Sequence, residues 1–463
     1  MSAATASALR QSRVSRGAAL ARLALRIGGR YVARSPRLLF ASVERRSALR
    51  HDLALRSADE VAEELGSMKG VLMKLGQMAS YIYEDMPATF RLSMSRLQRK
   101  APPMTPALAA GVILEELGAP PESVFAEWDP IPFAAASIGQ VHRAITKDGR
   151  AVAVKVQYPG IARSIKSDLR NVGLLRRIVG AAFPGLDTRA LVDEVADRLQ
   201  EEVDYGREAA SQELFASFYD GHPFIRVPHV LPELSTARVL TSELVSGATF
   251  EELLDWDQHE RDLAAEAIHR FVFRSLYRLH AFNGDPHPGN YLFHRGGRVT
   301  FLDFGLTKIF TDDDLAPLID AVRFLVIEKD YEGFRAALER AGFLKTGAPV
   351  PTSVVVDRFA LFYSTALRDE PMTITPAFAS AIVRRFFDAR GPLAPYSDVP
   401  RAYVIMQRIN LGLYAVLGSL NATANWRRIA EEIWPFRNGP PSTPLGDAES
   451  RWLSKQSQKV LKI

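Results

Sequence analysis

Apolar and polar positions alternate along this chain in more than one rhythm. Val61, Leu65, Met68, Leu72, Leu75, Ala79 and Ile82 recur at steps of three and four, which predicts a helix with one apolar face. Ser57 and Glu60 supply a capping box at its start. A second face carries Gly66, Gly70, Lys74 and Gln77. Glycine costs a helix interior about 1 kcal/mol, so two of them a turn apart predict close approach to another surface beside Lys74. Residues 150–157, Arg-Ala-Val-Ala-Val-Lys-Val-Gln, are β-branched and small, which predicts a strand with Lys155 inside an apolar run. A buried ammonium needs a partner. The long polar pattern over 187–218 predicts a helix that carries Glu202, Asp204 and Glu208. On one continuous helix Glu202 and Glu208 point roughly 120° apart, so the two can serve different lysines.

Later stretches predict helices of two kinds. Thr311, Asp312, Asp313 and Asp314 open an apolar helical pattern with acidic residues placed where the helix dipole favours them. Residues 403–420 are apolar but interrupted by Gln407, Arg408 and Asn410, so they read as a core helix and not as a membrane span.

Chemistry concentrates in residues 283–307. Asn-Gly-Asp-Pro-His-Pro-Gly-Asn-Tyr-Leu-Phe is followed by a short turn and then by Phe-Leu-Asp-Phe-Gly-Leu-Thr. Phosphoryl transfer requires a carboxylate to orient the attacking hydroxyl and hard oxygen ligands to hold magnesium on nucleotide phosphates. Asp285 fits the first role and Asn290 with Asp303 the second. Each fragment alone is ordinary turn chemistry. It is the order, with Lys155 upstream as a phosphate-reaching lysine, that points to a metal-nucleotide site. His287 is expected to shape the loop and not to bind metal.

Two further features separate the chain from ordinary protein kinases. Where a glycine-rich phosphate loop would precede Lys155, the residues are Ala134, Ala135, Ala136, Ser137, Ile138, Gly139, Gln140 and Val141, with one glycine. Far upstream stands Lys74-Leu75-Gly76-Gln77. The alanine-rich loop, the Lys-x-Gly-Gln helix, the Glu202-x-Asp204 pair and the Asp285 to Asp303 block together resemble the UbiB/AarF family of atypical kinases, which serve quinone and other isoprenoid-lipid metabolism. The resemblance covers roughly residues 60–310.

That resemblance implies an α+β, bilobal protein-kinase-like fold, with a small β-containing N-lobe, a helical C-lobe and a family-specific N-terminal helical extension. It implies ATP and Mg2+ as cofactors. Lys155 would contact the nucleotide phosphates and pair with Glu208, Asn290 and Asp303 would hold magnesium, and Asp285 would accept the substrate hydroxyl's proton. Lys74 would reach into the nucleotide site and pair with Glu202. Backbone groups near 240–244, including Glu243, would hold the adenine. Alanine Cβ atoms hinder the loop from folding over phosphates as glycine would. No Ala-Pro-Glu motif or long activation segment follows Asp303, and in the family the Lys-x-Gly-Gln helix is thought to cover the surface where a protein substrate docks. The resemblance therefore favours ATP hydrolysis or a small-molecule or lipid-linked role over phosphorylation of other proteins.

Charge adds a second theme. The first fifty residues hold eleven arginines against Glu44 alone, net +10, whereas the whole chain is +5, so the remainder is about −5. Arg22, Arg26, Arg30 and Arg34 form a helical stripe beside Leu20, Leu23, Ile27 and Tyr31, suited to an anionic membrane surface. A disordered tail and a mitochondrial transit peptide remain open for the same segment. The arginines lack interleaved aromatics apart from Tyr31, so nucleic acid is not expected as a partner. The absence of cysteine excludes disulfides and thiolate metal sites.

The expected organisation is a basic segment over 1–56, the Lys-x-Gly-Gln extension over 57–104, an N-lobe over 105–243, a C-lobe over 244–437 and a basic tail over 438–463, bounded by proline-rich stretches. The expected function is a magnesium-dependent atypical kinase or ATPase supporting isoprenoid quinone or related lipid synthesis, in company with quinone-biosynthesis enzymes. It would lie peripheral to a bacterial inner membrane on the cytoplasmic side, or in the mitochondrial matrix if the N-terminus is a transit peptide. A small-molecule phosphotransferase and a non-catalytic nucleotide-binding scaffold are the alternatives.

Overall fold

The computed structural model describes residues 104–136, 138–162, 203–284, 286–387, 392–393, 395–397 and 400–460. Lys74, Gly76, Gln77, Ser137, Glu202 and Asp285, with the basic N-terminal stripe, lie outside the described residues. The chain divides into two compact units, the first running to Gly206 and including Leu231–Thr241, the second made of Arg207–Val230 and everything from Ser242 onward.

Among its described residues the first unit is a sheet with the helix Pro106–Leu117 against it. Its strands lie in the order Phe125–Trp128, Gly139–Thr146, Ala151–Gln157 and Val239–Glu243, with Ala134–Ala136 paired to the start of Gly139–Thr146. The alternation read from the sequence is realised: Val152, Val154 and Val156 are fully buried, while Ala153 and Lys155 on the opposite face are half-buried. The valine face packs with Ala109, Val112 and Ile113 of the helix Pro106–Leu117 and with Phe125 and Val239. Burying valine side chains in this way contributes roughly 1.5–3 kcal/mol each and fixes the register, because a one-residue slip would turn Lys155 into the core.

The second unit is mostly helical around an aromatic centre. Phe271 of the helix Gln258–Arg278 stacks on Phe301 with centroids 3.6 Å apart, and Phe215 and Phe304 complete the cluster. A hairpin of Tyr291–His294 and Arg298–Phe301, joined in parallel by Ile225–Arg226, carries the predicted chemistry at its end. Thr311 and Asp314 form the capping box of the helix Asp312–Val322, as the acidic run predicted. The helix Arg401–Ser419 buries Leu413, Val416 and Leu417. Among the described residues no helix is long and apolar enough to cross a membrane. The mixed architecture is the α+β kinase-like fold that the sequence implied.

Two sequence expectations are revised. The helix bearing Glu208 begins only at Tyr205: Val203 is in a turn, and Asp204 is non-helical, with its carboxylate accepting the Gly206 N–H at 2.9 Å. A helix running unbroken from Glu202 to Glu208 is therefore not formed. The stretch expected as a basic tail is the helix Pro444–Val460, with Glu449 and Trp452 buried.

His269 lies in the middle of the Gln258–Arg278 helix, buried against Phe273 and Trp426. Burial, and then the Arg270 charge, push its pKa down to about 3. A folded pKa depressed below the unfolded value near 6.5 means that the neutral ring favours the native state above that pH, and that this contribution is lost as pH falls from about 6.5 toward 3. Denaturation midpoints are thus expected to decline through this window, and to decline less steeply in His269→Leu; parallel profiles for the two proteins would refute the assignment.

Candidate nucleotide and metal site

In the second unit the site is assembled from four short pieces. Ala281–Asn283 pairs with Thr307–Ile309, and the Gly284 N–H donates to the Leu306 carbonyl at 2.7 Å, which sets the entry and exit of the loop side by side. The turn Pro288–Asn290 is shaped by His287, whose Nδ1 accepts the Gly289 N–H at 3.0 Å, in keeping with its predicted role. The hairpin register places Tyr291 opposite Phe301, and the Leu302 N–H donates to the Asn290 carbonyl at 3.0 Å. Asn290 and Asp303 consequently emerge together where the two strands end.

Asp303 is held from several sides. Its Oδ1 accepts the Gly305 N–H at 2.9 Å, and its carbonyl accepts from Asn283 Nδ2 at 2.7 Å. Phe304, fully buried, anchors the segment against Phe215 at 4.9 Å between centroids. Phe215 and Glu208 are seven residues apart on one helix, hence on one face, so the helix that grips Phe304 also brings the buried Glu208 to Gly305. A Cβ placed on Gly305 would stand 3.3 Å from Asp303 Oδ1 and 3.6 Å from Glu208 Oε2. The Asn290 carboxamide and the Asp303 carboxylate are hard oxygen donors of the kind magnesium takes, so the donor set fits that ion.

In the first unit the alanine-rich segment is a hairpin. Ala134 pairs with Val141, Ala135 with Gln140 and Ala136 with Gly139. Gly139 is obligatory there, since a Cβ would approach the Val156 carbonyl oxygen within 2.3 Å and the Tyr205 hydroxyl within 2.7 Å. Ile138 is buried, and its carbonyl accepts the Tyr158 N–H. Gln140 is buried as well, accepting the Met104 N–H at 2.9 Å and bonding His142 at the same distance. Lys155 pairs across the sheet with Val141, and its ammonium sits 4.9 Å over the Tyr205 ring, a cation–π contact that fixes its direction.

Glu243 belongs to the second unit. Its N–H donates to the His229 carbonyl at 3.0 Å, and its carboxylate lies 3.3 Å from Arg226 and accepts the His229 N–H at 3.3 Å. The structure thus gathers Asn290, Asp303 and Glu208 in one unit, and the alanine hairpin with Lys155 in the other. Sequence reasoning missed Tyr205, Asn283 and Gly412. A Cβ on Gly412 would meet Pro286 Cγ at 2.2 Å, so this glycine of the Arg401–Ser419 helix leaves the room that Pro286 occupies. A tyrosine directly after Glu-x-Asp was a readable signal for the first; nothing local marks the other two.

Comparison with known proteins identifies the family. Residues 96–338 match the model of the ABC1 atypical kinase-like domain. A rat protein named "Atypical kinase COQ8B, mitochondrial" is 35% identical over 58% of this chain and 51% of its own length. An Arabidopsis thaliana protein named "Protein ACTIVITY OF BC1 COMPLEX KINASE 8, chloroplastic" is 32% identical over 70% of this chain and 43% of its own. The chain spans about half the length of the curated relatives it matches. A Mycobacterium tuberculosis protein solved as a complex with erythromycin superposes with a TM-score of 0.61 at 29% identity, over 85% of this chain and 100% of that one. With the matched domain covering more than half of it, and with Lys155, Asn290 and Asp303 in order inside the matched stretch, the chain belongs to the UbiB/AarF family of ABC1 atypical kinases.

Proposed function

We propose that this chain binds magnesium-ATP and transfers or hydrolyses its terminal phosphoryl group in support of isoprenoid quinone or related lipid synthesis at a membrane surface. The observation that carries the reading is the adjacency of Asn290 and Asp303 at the hairpin's end, with Asp303 clamped by Gly305 and Asn283. Bound there, magnesium supplies charge neutralisation on the phosphates. Asn290 and Asp303 hold it, and Lys155, aimed by the Tyr205 ring, contacts phosphate oxygens. Asp285 accepts the proton of the attacking hydroxyl or water. The Glu202–Asp204 pair and Lys74 of the Lys-x-Gly-Gln segment regulate access to the nucleotide. Anionic lipids and quinone-biosynthesis enzymes are the proposed partners, with the arginine-rich N-terminus as the membrane contact and a position peripheral to the inner membrane.

Asp303→Asn removes a charged ligand while keeping the side chain's shape and the Gly305 contact. Calorimetry is expected to register at least a tenfold loss of magnesium-ATP affinity; unchanged binding would exclude Asp303 as a ligand. Phosphate release should rise with cardiolipin-containing liposomes and vanish in Asp285→Asn. Nucleotide binding without any release, with or without lipid, would instead favour the scaffold alternative.

A further inference from the structure

The hairpin that carries Asn290 at one end presents a differently composed face elsewhere. Arg226 stands opposite Thr300 in the parallel pair, and His294 stands opposite Arg298 in the antiparallel pair. Residues two apart on a strand share a face, so Arg226, Thr300, Arg298 and His294 lie on one side of this three-stranded sheet. Ile225, Val299 and Phe293 occupy the other side, in the aromatic core. All four of the first group line a cavity of about 450 Å³, which the turn after the Glu208 helix closes through Asp220 and Pro223. That volume is within the range of small-molecule sites. Neither Asn290, Asp303 nor Glu208 lines it; Glu243 does.

The cations here are poorly compensated. Among the described residues Arg298 makes no ion pair, and its guanidinium is served by the Arg295 carbonyl at 3.4 Å. Arg226 leans on Glu243 at 3.3 Å across a half-exposed contact of the weak surface kind. Burial, then the charges of Arg298 and Arg226, lower the pKa of His294, so both guanidiniums act on that ring. Like charges gathered at a concave wall raise the local potential, and a guanidinium fork matches an oxyanion in geometry as well as charge. Asp220 and Glu243 on the rim disfavour an anion that fills the whole cavity, and favour one charged at a single end.

We propose that this cavity binds a small molecule by a phosphate-type oxyanion, gripped by Arg298 and Arg226 with the His294 imidazole and the Thr300 hydroxyl beside them. The oxyanion can belong to a soluble phosphomonoester or to a lipid headgroup. The proposal does not depend on phosphoryl transfer. Calorimetric titration of inorganic phosphate into the full chain, with magnesium and a non-hydrolysable ATP analogue saturating, is expected to give a saturable isotherm. Affinity should fall at least tenfold in Arg298→Gln and less in Arg298→Lys, which keeps the charge but loses the fork. Arg298 is exposed, so both variants should fold as wild type, with matching circular dichroism. An isotherm unchanged in Arg298→Gln, or no saturable phosphate binding by the wild type, would overturn the site. Titrating glycerol 3-phosphate and sub-micellar short-chain phosphatidic acid side by side distinguishes the sources, since the tighter of the two identifies the ligand's class.

Discussion

Replacing Glu449 by alanine is expected to lower the stability of the fold by about 3–5 kcal/mol, because it strands the buried Arg274 without a counter-charge. Glu449 accepts from Arg270 Nη1 at 2.9 Å, from Arg274 Nη2 at 2.8 Å and from Arg274 Nε at 3.1 Å, and His222 Nε2 lies 3.6 Å away. The side chains of these four residues are at most 2% exposed. Burial pushes the Glu449 carboxyl up, but the His222 contact and the two guanidiniums outweigh it and hold the group well below the usual carboxylate range. Arg270 would keep Glu266 at 2.7 Å and Glu432 at 2.8 Å, whereas Arg274 would keep only the Glu432 carbonyl at 3.3 Å. Glu449→Gln preserves shape and part of the hydrogen bonding, so it should lose less. Urea denaturation of the three proteins checks the order, and a loss below about 1 kcal/mol in Glu449→Ala would show that water replaces the carboxylate without penalty.

The same network ties the Pro444–Val460 helix to the helix that carries Glu208. Trp452, one turn beyond Glu449, donates its indole N–H to the Asp220 carbonyl at 3.1 Å and packs edge-on against His222 with centroids 4.5 Å apart. Asp220 stands two residues past the end of the helix that carries Glu208 and Phe215. The Pro444–Val460 helix thus braces one end of the element whose other end meets Gly305.

Much of this was legible locally. The alternation of Val152, Val154 and Val156 dictates a strand with Lys155 on the reverse face, and Thr311 with Asp314 dictates a helix start, because each pattern is complete within a few residues. A short turn between two strands leaves few registers, and the one formed brings the Asn290 carbonyl to the Leu302 N–H, next to Asp303. What failed to show had distant causes. The break before Tyr205 is made by the Asp204 carboxylate capping Gly206 and by the Tyr205 N–H reaching the Ala237 carbonyl at 3.0 Å, neither of which disturbs the polar periodicity of residues 187–218. The last helix reads as a basic tail because the arginines that bury Glu449 stand some 175 positions earlier.

Gly412 is the plainest case of a sterically constrained position without a local signal, and it yields the sharpest kinetic prediction. It lies within the Arg401–Ser419 helix, where alanine would ordinarily improve helix stability by about 1 kcal/mol. Its added Cβ would stand 2.2 Å from Pro286 Cγ and 3.2 Å from Pro286 Cβ, closer than packed carbons come. The helix is long and anchored by Leu413, Val416 and Leu417, whereas Pro286 and His287 lie outside any helix or strand, so Pro286 yields. Displacing Pro286 by the better part of an ångström carries its neighbour Asp285 with it. Misplacing a catalytic group on that scale costs roughly a hundredfold in rate. Gly412→Ala is therefore expected to cut turnover by about that factor while leaving magnesium-ATP affinity, which the proposal assigns to Asn290 and Asp303, within a few-fold of wild type. Equal losses in turnover and in affinity would mean that the whole hairpin moves and not the loop alone, and full activity would place Asp285 outside the chemistry.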